Sequence, residues 1–362
     1  MALDRITLSQ FRNHGGTRID GTRQFNLLVG ENGAGKTNIL EAISLFAPGR
    51  GLRRAALTEM AALEGAGGFS VAARLDPGDG GEPVTLGTGA DPARPGRRQV
   101  QVNGADSSAI ALGEWLSISW LTPAMDRLFT DSAGARRRFV DRMALALDPA
   151  HARHASRYER ALRERNRLLS GDDMPDPHWL DAIELQLAEA GAALAGGRSF
   201  LVKCLTAALE RLPEEPFARP TLTLVSGGPT ETEELAASLR RSRPRERAAG
   251  RTLIGPHRDE LEVVMAGKGM PAASCSTGEQ KALLIALILA HANLASGDRP
   301  SLLLLDEVAA HLDPVRRTAL FDRLRASGAQ VWLTGTELAP FENISGEAAT
   351  WRVAGGEVER LA

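Results

Sequence analysis

Apolar and polar residues alternate along residues 2 to 30, with Ile6, Leu8 and Phe11, then Phe25, Leu27 and Val29, on the repeating side. A period of two predicts short strands. Residues 65 to 110 set short apolar pairs, such as Phe69 with Val71 and Val100 with Val102, between stretches rich in Gly, Pro and Asp. That pattern predicts antiparallel strands with turns, and Asn103-Gly104 predicts a hairpin. From about Asp131 the period changes. Phe139, Met143, Leu147, Tyr158, Leu162 and Leu169 form a helical stripe over residues 132 to 169, with a break at Asp148-Pro149. A turn is expected at residues 171 to 177. Leu180, Ile183, Leu187, Leu194, Leu201, Leu205 and Leu209 then predict a second long helix over residues 179 to 212. Two long helices joined by a short turn predict an antiparallel hairpin or a compact bundle. Residues 240 to 251, basic and interrupted by Pro244, are expected to be a linker. Beyond them, Ser301-Leu302-Leu303-Leu304-Leu305 reads as a buried parallel strand, and residues 330 to 334 resemble another.

These shifts divide the chain of 362 residues into an α/β head, residues 1–130 and 250–362, and a helical insert, residues 131–249. A hydrophobic fraction of 43% with 24% charged residues suits a globular protein with a substantial core. The formal net charge of -2 confines any nucleic-acid site to a local patch. Cys204 and Cys275 make neither a metal pattern nor a disulfide framework, which points to a reducing compartment. The start, Met1-Ala2-Leu3-Asp4-Arg5, lacks the order of a signal peptide, and the most apolar stretch, residues 282 to 290, is too short to span a bilayer. A cytoplasmic, nucleoid-associated protein without a membrane partner is expected.

Between the strand ending at Val29 and the helix beginning near Ile39 lies Gly30-Glu31-Asn32-Gly33-Ala34-Gly35-Lys36-Thr37-Asn38. Gly-x-x-x-x-Gly-Lys-Thr is a P-loop. Its glycines let backbone N–H groups cradle phosphates, its lysine reaches the β- and γ-phosphates, and its threonine hydroxyl can ligate Mg²⁺. Residues 30 and 32 to 38 are therefore the expected ATP-binding set. A chance glycine-rich turn is the alternative, and the strand–loop–helix register opposes it.

Such a protein also needs a carboxylate for Mg²⁺ and a group to activate water. Leu302-Leu303-Leu304-Leu305-Asp306-Glu307 supplies both, with Asp306 toward the metal and Glu307 as general base; an acidic strand cap is the bland alternative. Ser276-Thr277-Gly278-Glu279 opens a long apolar helix. It reads as a capping box, and also as the signature motif of ABC-type ATPases, in which Ser276 would meet a γ-phosphate. The two readings are compatible. Leu312-Asp313 fits the D-loop. Ser276 follows Lys36 by 240 residues, a gap that holds the strand-rich stretch and the helical insert. That architecture is similar to the chromosome-maintenance ATPases, whose head is split in sequence.

Within that superfamily the chain resembles the RecF family of bacterial recombination-repair ATPases nearly end to end. The resemblance is carried by Leu8-Ser9-Gln10-Phe11-Arg12-Asn13, by the P-loop, and by Thr252-Leu253-Ile254-Gly255-Pro256-His257-Arg258-Asp259-Glu260-Leu261. Ser276 to Lys281 and Leu303 to Asp313 continue it. It implies an ABC-type head of mixed sheet and flanking helices with an inserted helical lobe. It also implies slow, DNA-stimulated ATP hydrolysis by a homodimer that holds ATP between the P-loop of one copy and Ser276 of the other. The role implied is at gapped DNA, aiding RecA loading with RecO and RecR. The chain departs from the pattern at residues 121 to 126, so no Q-loop glutamine is assigned, Gln99 and Gln101 having no support. Thr334 or Thr336 stands where transporters carry a switch histidine. For His257-Arg258-Asp259 the choice is between Arg258 pairing a head carboxylate and a sensing role. Alternatives for the whole are another chromosome-maintenance head with a different DNA task, and an ATP-timed protein scaffold.

Ten arginines lie between Arg136 and Arg167 against four acids. A solvated helix face is the bland reading. In a near-neutral chain the excess also marks Arg136, Arg137, Arg157, Arg160 and Arg163 as candidate contacts to double-stranded or gapped DNA, giving affinity without reading sequence.

Overall fold

A computed structural model describes residues 3–65, 67–76, 81–171, 173, 175–213, 215–297, 299–309 and 312–361, the side chain of Ser296 excepted. Asp172 and Met174 of the expected turn lie outside the described residues, as do Met1 and Ala2. By internal contacts the chain divides into two units. One comprises residues 1–126, 213–217 and 284–362, and the other residues 127–212 and 218–283.

The first unit opens with β1 (Leu3–Phe11), β2 (His14–Asp20) and β3 (Phe25–Val29), followed by α1 (Lys36–Ser44) and a short helical turn, α2 (Leu57–Met60). Next come β4 (Phe69–Leu75), β5 (Val84–Ala90), β6 (Arg98–Val102), β7 (Ala105–Asp106), the turn α3 (Leu112–Trp115) and β8 (Ser117–Leu121). Strands β2-β1-β4-β5-β6-β7 make an antiparallel sheet. The alternation read from the sequence is visible in β1, where Leu3, Ile6, Leu8 and Phe11 are fully buried. The Asn103-Gly104 hairpin forms as expected, with both residues at positive φ and Val102 paired to Ala105.

The second unit holds α4 (Ala133–Leu147), α5 (His151–Leu169) and α6 (Pro177–Glu210). Ser132 caps α4 by accepting from the Ala135 N–H, and the chain breaks at Asp148-Pro149 as the sequence predicts. Asp176 caps α6, with Pro177 at its first position. Strand β9 (Pro220–Val225) leads to α7 (Thr232–Ala249). The linker expected at residues 240 to 251 is thus mostly helix, and Pro244 lies inside it. A proline inside a helix costs on the order of 3 kcal/mol, and tertiary contacts offset that cost. Leu235 and Leu239 pack with Tyr158, Leu187 and Leu194, while Arg243 binds Glu184 and Asp181. The unit continues with β10 (Glu260–Met265) and β11 (Met270–Pro271), which join β9 in a three-stranded antiparallel sheet. That pairing places residues 250–283, expected in the head, with the helical segments.

The division falls within α8 (Thr277–Ser296). After it come β12 (Ser301–Leu305), α9 (Pro314–Ser327), β13 (Gln330–Gly335), β14 (Ala348–Ala354) and β15 (Glu357–Arg360). They complete a mixed sheet of order β15-β14-β3-β13-β12-β8, parallel throughout except for the β14–β15 hairpin. All residues of β3, β12 and β13 are buried, as expected of central parallel strands.

Candidate functional site

Strand β3 delivers the chain into residues 30–35, and α1 starts at Lys36. Gly35 has φ +118, and a Cβ there would stand 2.8 Å from both Asn13 Nδ2 and His14 Nε2. A Cβ on Gly30 would collide with the Val353 carbonyl. Only glycine fits either position. Lys36 is buried and its Nζ donates to the carbonyls of Gly30 at 2.6 Å and Glu31 at 2.8 Å. Burial pushes its pKa down, and the charges of Glu307 and Asp306 oppose that shift.

Parallel neighbours bring three strand ends together. Asp306 and Glu307 follow β12, Thr334 lies on β13, and Thr37 sits in the first turn of α1. The Thr37 hydroxyl contacts both Asp306 carboxylate oxygens, at 3.0 and 3.1 Å. The Thr334 hydroxyl donates to Asp306 Oδ1 at 2.7 Å and accepts the Glu307 N–H at 2.9 Å. Glu307 has φ +55, an uncommon conformation for a non-glycine residue. Converging hydroxyl and carboxylate oxygens are the hard donors that suit Mg²⁺. No group of three or more His, Cys, Asp or Glu arranged for a metal occurs among the described residues. An ion that takes its remaining ligands from phosphate and water needs none.

The turn between β1 and β2 grips this loop from outside. Asn13 Nδ2 donates to the Ala34 carbonyl at 3.0 Å, and Asn38 Nδ2 donates to Asn13 Oδ1 at 2.7 Å. The buried ring of His14 places Nε2 3.1 Å from the Gly35 carbonyl and Nδ1 2.7 Å from that of Gly356. Arg12 forks onto the buried Glu41 of α1 at 2.8 and 2.9 Å, and Arg53 reaches the same carboxylate at 2.7 Å. The motif reading missed His14, Glu41 and Arg53. The signal available was the string ending in Arg12-Asn13, which carries the family resemblance. A cavity of about 600 Å³ abuts residues 30–34, Thr336 and Arg352, and neither Lys36 nor Thr37 lines it.

In the second unit, Ser276 and Glu279 form the expected capping box. Glu279 Oε2 accepts from the Ser276 N–H and hydroxyl, both at 2.9 Å. Thr277 and Gly278 begin α8. In the first unit, Asp313 caps α9 by accepting the Arg316 N–H at 2.9 Å. The candidate DNA arginines separate into two groups. Arg136 is tied to Glu260 at 2.6 and 2.9 Å, and Arg137 donates to the Asp259 carbonyl at 2.8 Å, so both serve internal contacts. Arg157, Arg160 and Arg163 stand exposed on α5, where Arg157 meets Glu189 and Arg163 meets Glu159. Arg165, from the same run, is fully enclosed.

Arg258 is exposed and pairs with no carboxylate among the described residues, contrary to one of the two expectations for it. Its neighbours carry the contacts instead. His257 Nδ1 lies 2.7 Å from the Tyr158 hydroxyl and its Nε2 3.0 Å from the Thr252 carbonyl. Asp259 Oδ2 accepts from Arg198 at 2.8 Å. Helix α6 is long and apolar enough by composition to cross a membrane, and its leucine stripe is buried against protein.

The chain matches the family described as RecF/RecN/SMC N terminal domain over residues 2–350. It is 48% identical to the DNA replication and repair protein RecF of Mesorhizobium japonicum, over 98% of this chain and 97% of that one. It is 46% identical to the protein of the same name from Brucella suis, over 99% and 96%. The chain belongs to the RecF family. A solved structure, described as that of the recombination mediator protein RecF-ATPrS in the RecFOR pathway, superposes with a TM-score of 0.87 at 23% identity. It covers 99% of this chain and 98% of its own. At that identity the likeness speaks for the fold, which is the ABC/SMC-like ATPase fold expected from the sequence.

Proposed function

We propose that this RecF-family chain binds ATP on its P-loop, dimerises around it on DNA, and hydrolyses it to release the DNA during recombinational repair of gaps. The observation that carries the reading is the convergence of Thr37, Asp306 and Thr334 at three adjacent strand ends, with Glu307 held beside them. Residues 30 and 32–38 would cradle the triphosphate, with Lys36 on its β/γ oxygens. Thr37 and Asp306 would hold Mg²⁺, which when bound supplies positive charge to the phosphate oxygens. Glu307 is the general base for the attacking water. Its N–H bond to Thr334 fixes where its carboxylate starts, and Thr334 orients Asp306 at the same time. Lys36 and Glu307 attract each other, so a bound phosphate would compete with Glu307 for the lysine.

Ser276 to Glu279 of a second copy would complete the site, and Asp313 would serve as its D-loop residue. Phosphate contacts from Arg157, Arg160 and Arg163 would give sequence-independent affinity for double-stranded or gapped DNA. The relatives are named for DNA replication and repair, and the solved RecF for recombination mediation. On that basis the pathway partners are RecR with RecO, and RecA indirectly, in the cytoplasm. The test is the affinity of the purified protein for duplex DNA with and without ATP. ATP should tighten binding, and Lys36→Ala should abolish both the tightening and nucleotide binding. A Lys36→Ala protein that binds ATP like the unmodified chain would overturn the site.

A further inference from the structure

We propose that Lys268 is a positioning residue for the signature half of the site, cancelling the charge of Glu279 so that Ser276 can present its hydroxyl to a triphosphate. The inference rests on the reading of residues 276–279 as the half-site that faces the ATP of a second copy. Its starting point is a conflict within the capping box. Glu279 Oε2 takes both the N–H and the hydroxyl of Ser276, each at 2.9 Å. The same carboxylate that orients Ser276 would repel the phosphate that Ser276 is there to meet. The ABC signature in its Ser-Gly-Gly-Gln form has a neutral glutamine at this position and no such conflict.

Neutralisation by a proton is not available to Glu279. Hydrogen bonds from Lys268 first, then from Ser276, hold its pKa down at about 2, so it stays charged throughout the neutral range. A cation has to do the work, and Lys268 Nζ stands 2.5 Å from Glu279 Oε1. The hairpin fixes the backbone of that lysine, whose side chain is half exposed. Lys268 sits in the turn between β10 and β11, closed by the Gly269 N–H to the Met265 carbonyl at 2.9 Å, with Gly269 at φ +60. Cys275 Sγ lies 4.0 Å from Met265 Sδ and 3.6 Å from the Pro271 carbonyl, which packs the hairpin on the residue preceding Ser276. Gln280 Nε2 then holds the Cys275 carbonyl at 2.9 Å. The chain has only four lysines against 39 arginines, and three of them, Lys36, Lys268 and Lys281, lie in or beside the segments of the proposed site. A compact ammonium on one carboxylate oxygen leaves the other holding the Ser276 N–H, so that the hydroxyl, with its single proton, can turn from Glu279 to a phosphate.

The experiment compares Lys268→Met, Lys268→Arg, Glu279→Gln and the double variant Lys268→Met/Glu279→Gln. ATP-driven dimerisation is followed by light scattering over protein concentration, alongside ATP affinity of the single chain and Tm. Lys268→Met should weaken dimerisation at least about tenfold, because an uncancelled like charge at an interface repels its counterpart, while single-chain ATP affinity and Tm hold. Lys268→Arg should keep most of the dimerisation, and the double variant should recover it. Normal dimerisation of Lys268→Met, or a double variant as weak as Lys268→Met, overturns the proposal. Ser276→Arg separates the two layers of the argument. If it too dimerises normally, the composite-site reading itself fails; if it alone is blocked, only the role of Lys268 does.

Discussion

Lys36 and Arg165 are both buried cations, one in each unit, and they are held differently. Among the described residues Lys36 hydrogen-bonds only carbonyls of its own loop, Gly30 and Glu31, which lie six and five residues away. Arg165 has its whole guanidinium consumed by distant segments. It reaches Glu184 Oε1 at 3.0 and 3.1 Å, Thr252 Oγ1 at 2.8 Å and the Leu239 carbonyl at 3.0 Å. Glu246 Oε2 lies 2.6 Å from it, an ionic contact rather than an aligned hydrogen bond. Arg243 adds a second cation to Glu184, and Arg198 forms a similar knot with Asp141, Asp259 and the Pro256 carbonyl. A charge buried for chemistry must remain available to a ligand. A charge buried for architecture must be fully satisfied, because the desolvation cost is large and nothing arrives later to offset it.

The comparison breaks most sharply at Glu307. Glu307→Gln should slow ATP turnover by about 10²–10⁴-fold while ATP binding and Tm stay unchanged, and the ATP-bound dimer should persist in light scattering. Unchanged turnover would reduce Glu307 to a strand cap.

Arg165→Met should do the converse. Leaving Glu246 in the interior without its cation, and Glu184 with Arg243 alone, costs about 3–5 kcal/mol, read by urea denaturation. Adding Glu246→Gln should return much of that stability. A loss that the added substitution deepens would show that Glu246 does not depend on Arg165.

Smaller again is the reversal of Arg157, Arg160 and Arg163 to Glu. On exposed α5 positions it should leave Tm nearly unchanged. Every arginine that no longer neutralises a phosphate should flatten the log–log salt dependence of DNA binding by about 0.9. An unaltered slope would assign this face to solvent.

The smallest effect concerns pH. Burial lowers the pKa of His257, helped by Arg258 and Arg137, against the Thr252 carbonyl and Glu246. In the unfolded chain the imidazole returns to its usual value near 6.5. Below that value the unfolded state binds the proton and the folded state resists it. Stability is therefore complete above 6.5 and falls as pH drops toward the folded-state pKa. His257→Gln should flatten the urea midpoint across that acid window. A midpoint just as steep in the variant would put the acid sensitivity elsewhere.

The local geometry of the proposed nucleotide site was legible because each of its segments carries that geometry in adjacent residues. Gly30 to Asn38 follow a strand and open a helix, and residues 301–307 are a buried strand with two acids at its end. Period and spacing also set the helices of the second unit and the hairpin at Asn103-Gly104. What needed the tertiary structure was every choice between equivalent charges. Ten arginines in one run look alike in sequence, yet Arg136 and Arg165 are internal ties while Arg160 faces solvent, because the partners lie on segments up to 124 residues away. Pro244 reads as a break, and packing of Leu235 and Leu239 overrides it. Thr334 reads only as a substitute for a missing histidine until β13 sets its hydroxyl beside Asp306. Local sequence fixes backbone shape through short-range sterics and periodicity. Which polar groups meet, and which stay free for a ligand, depends on how strands and helices far apart in the chain are brought side by side.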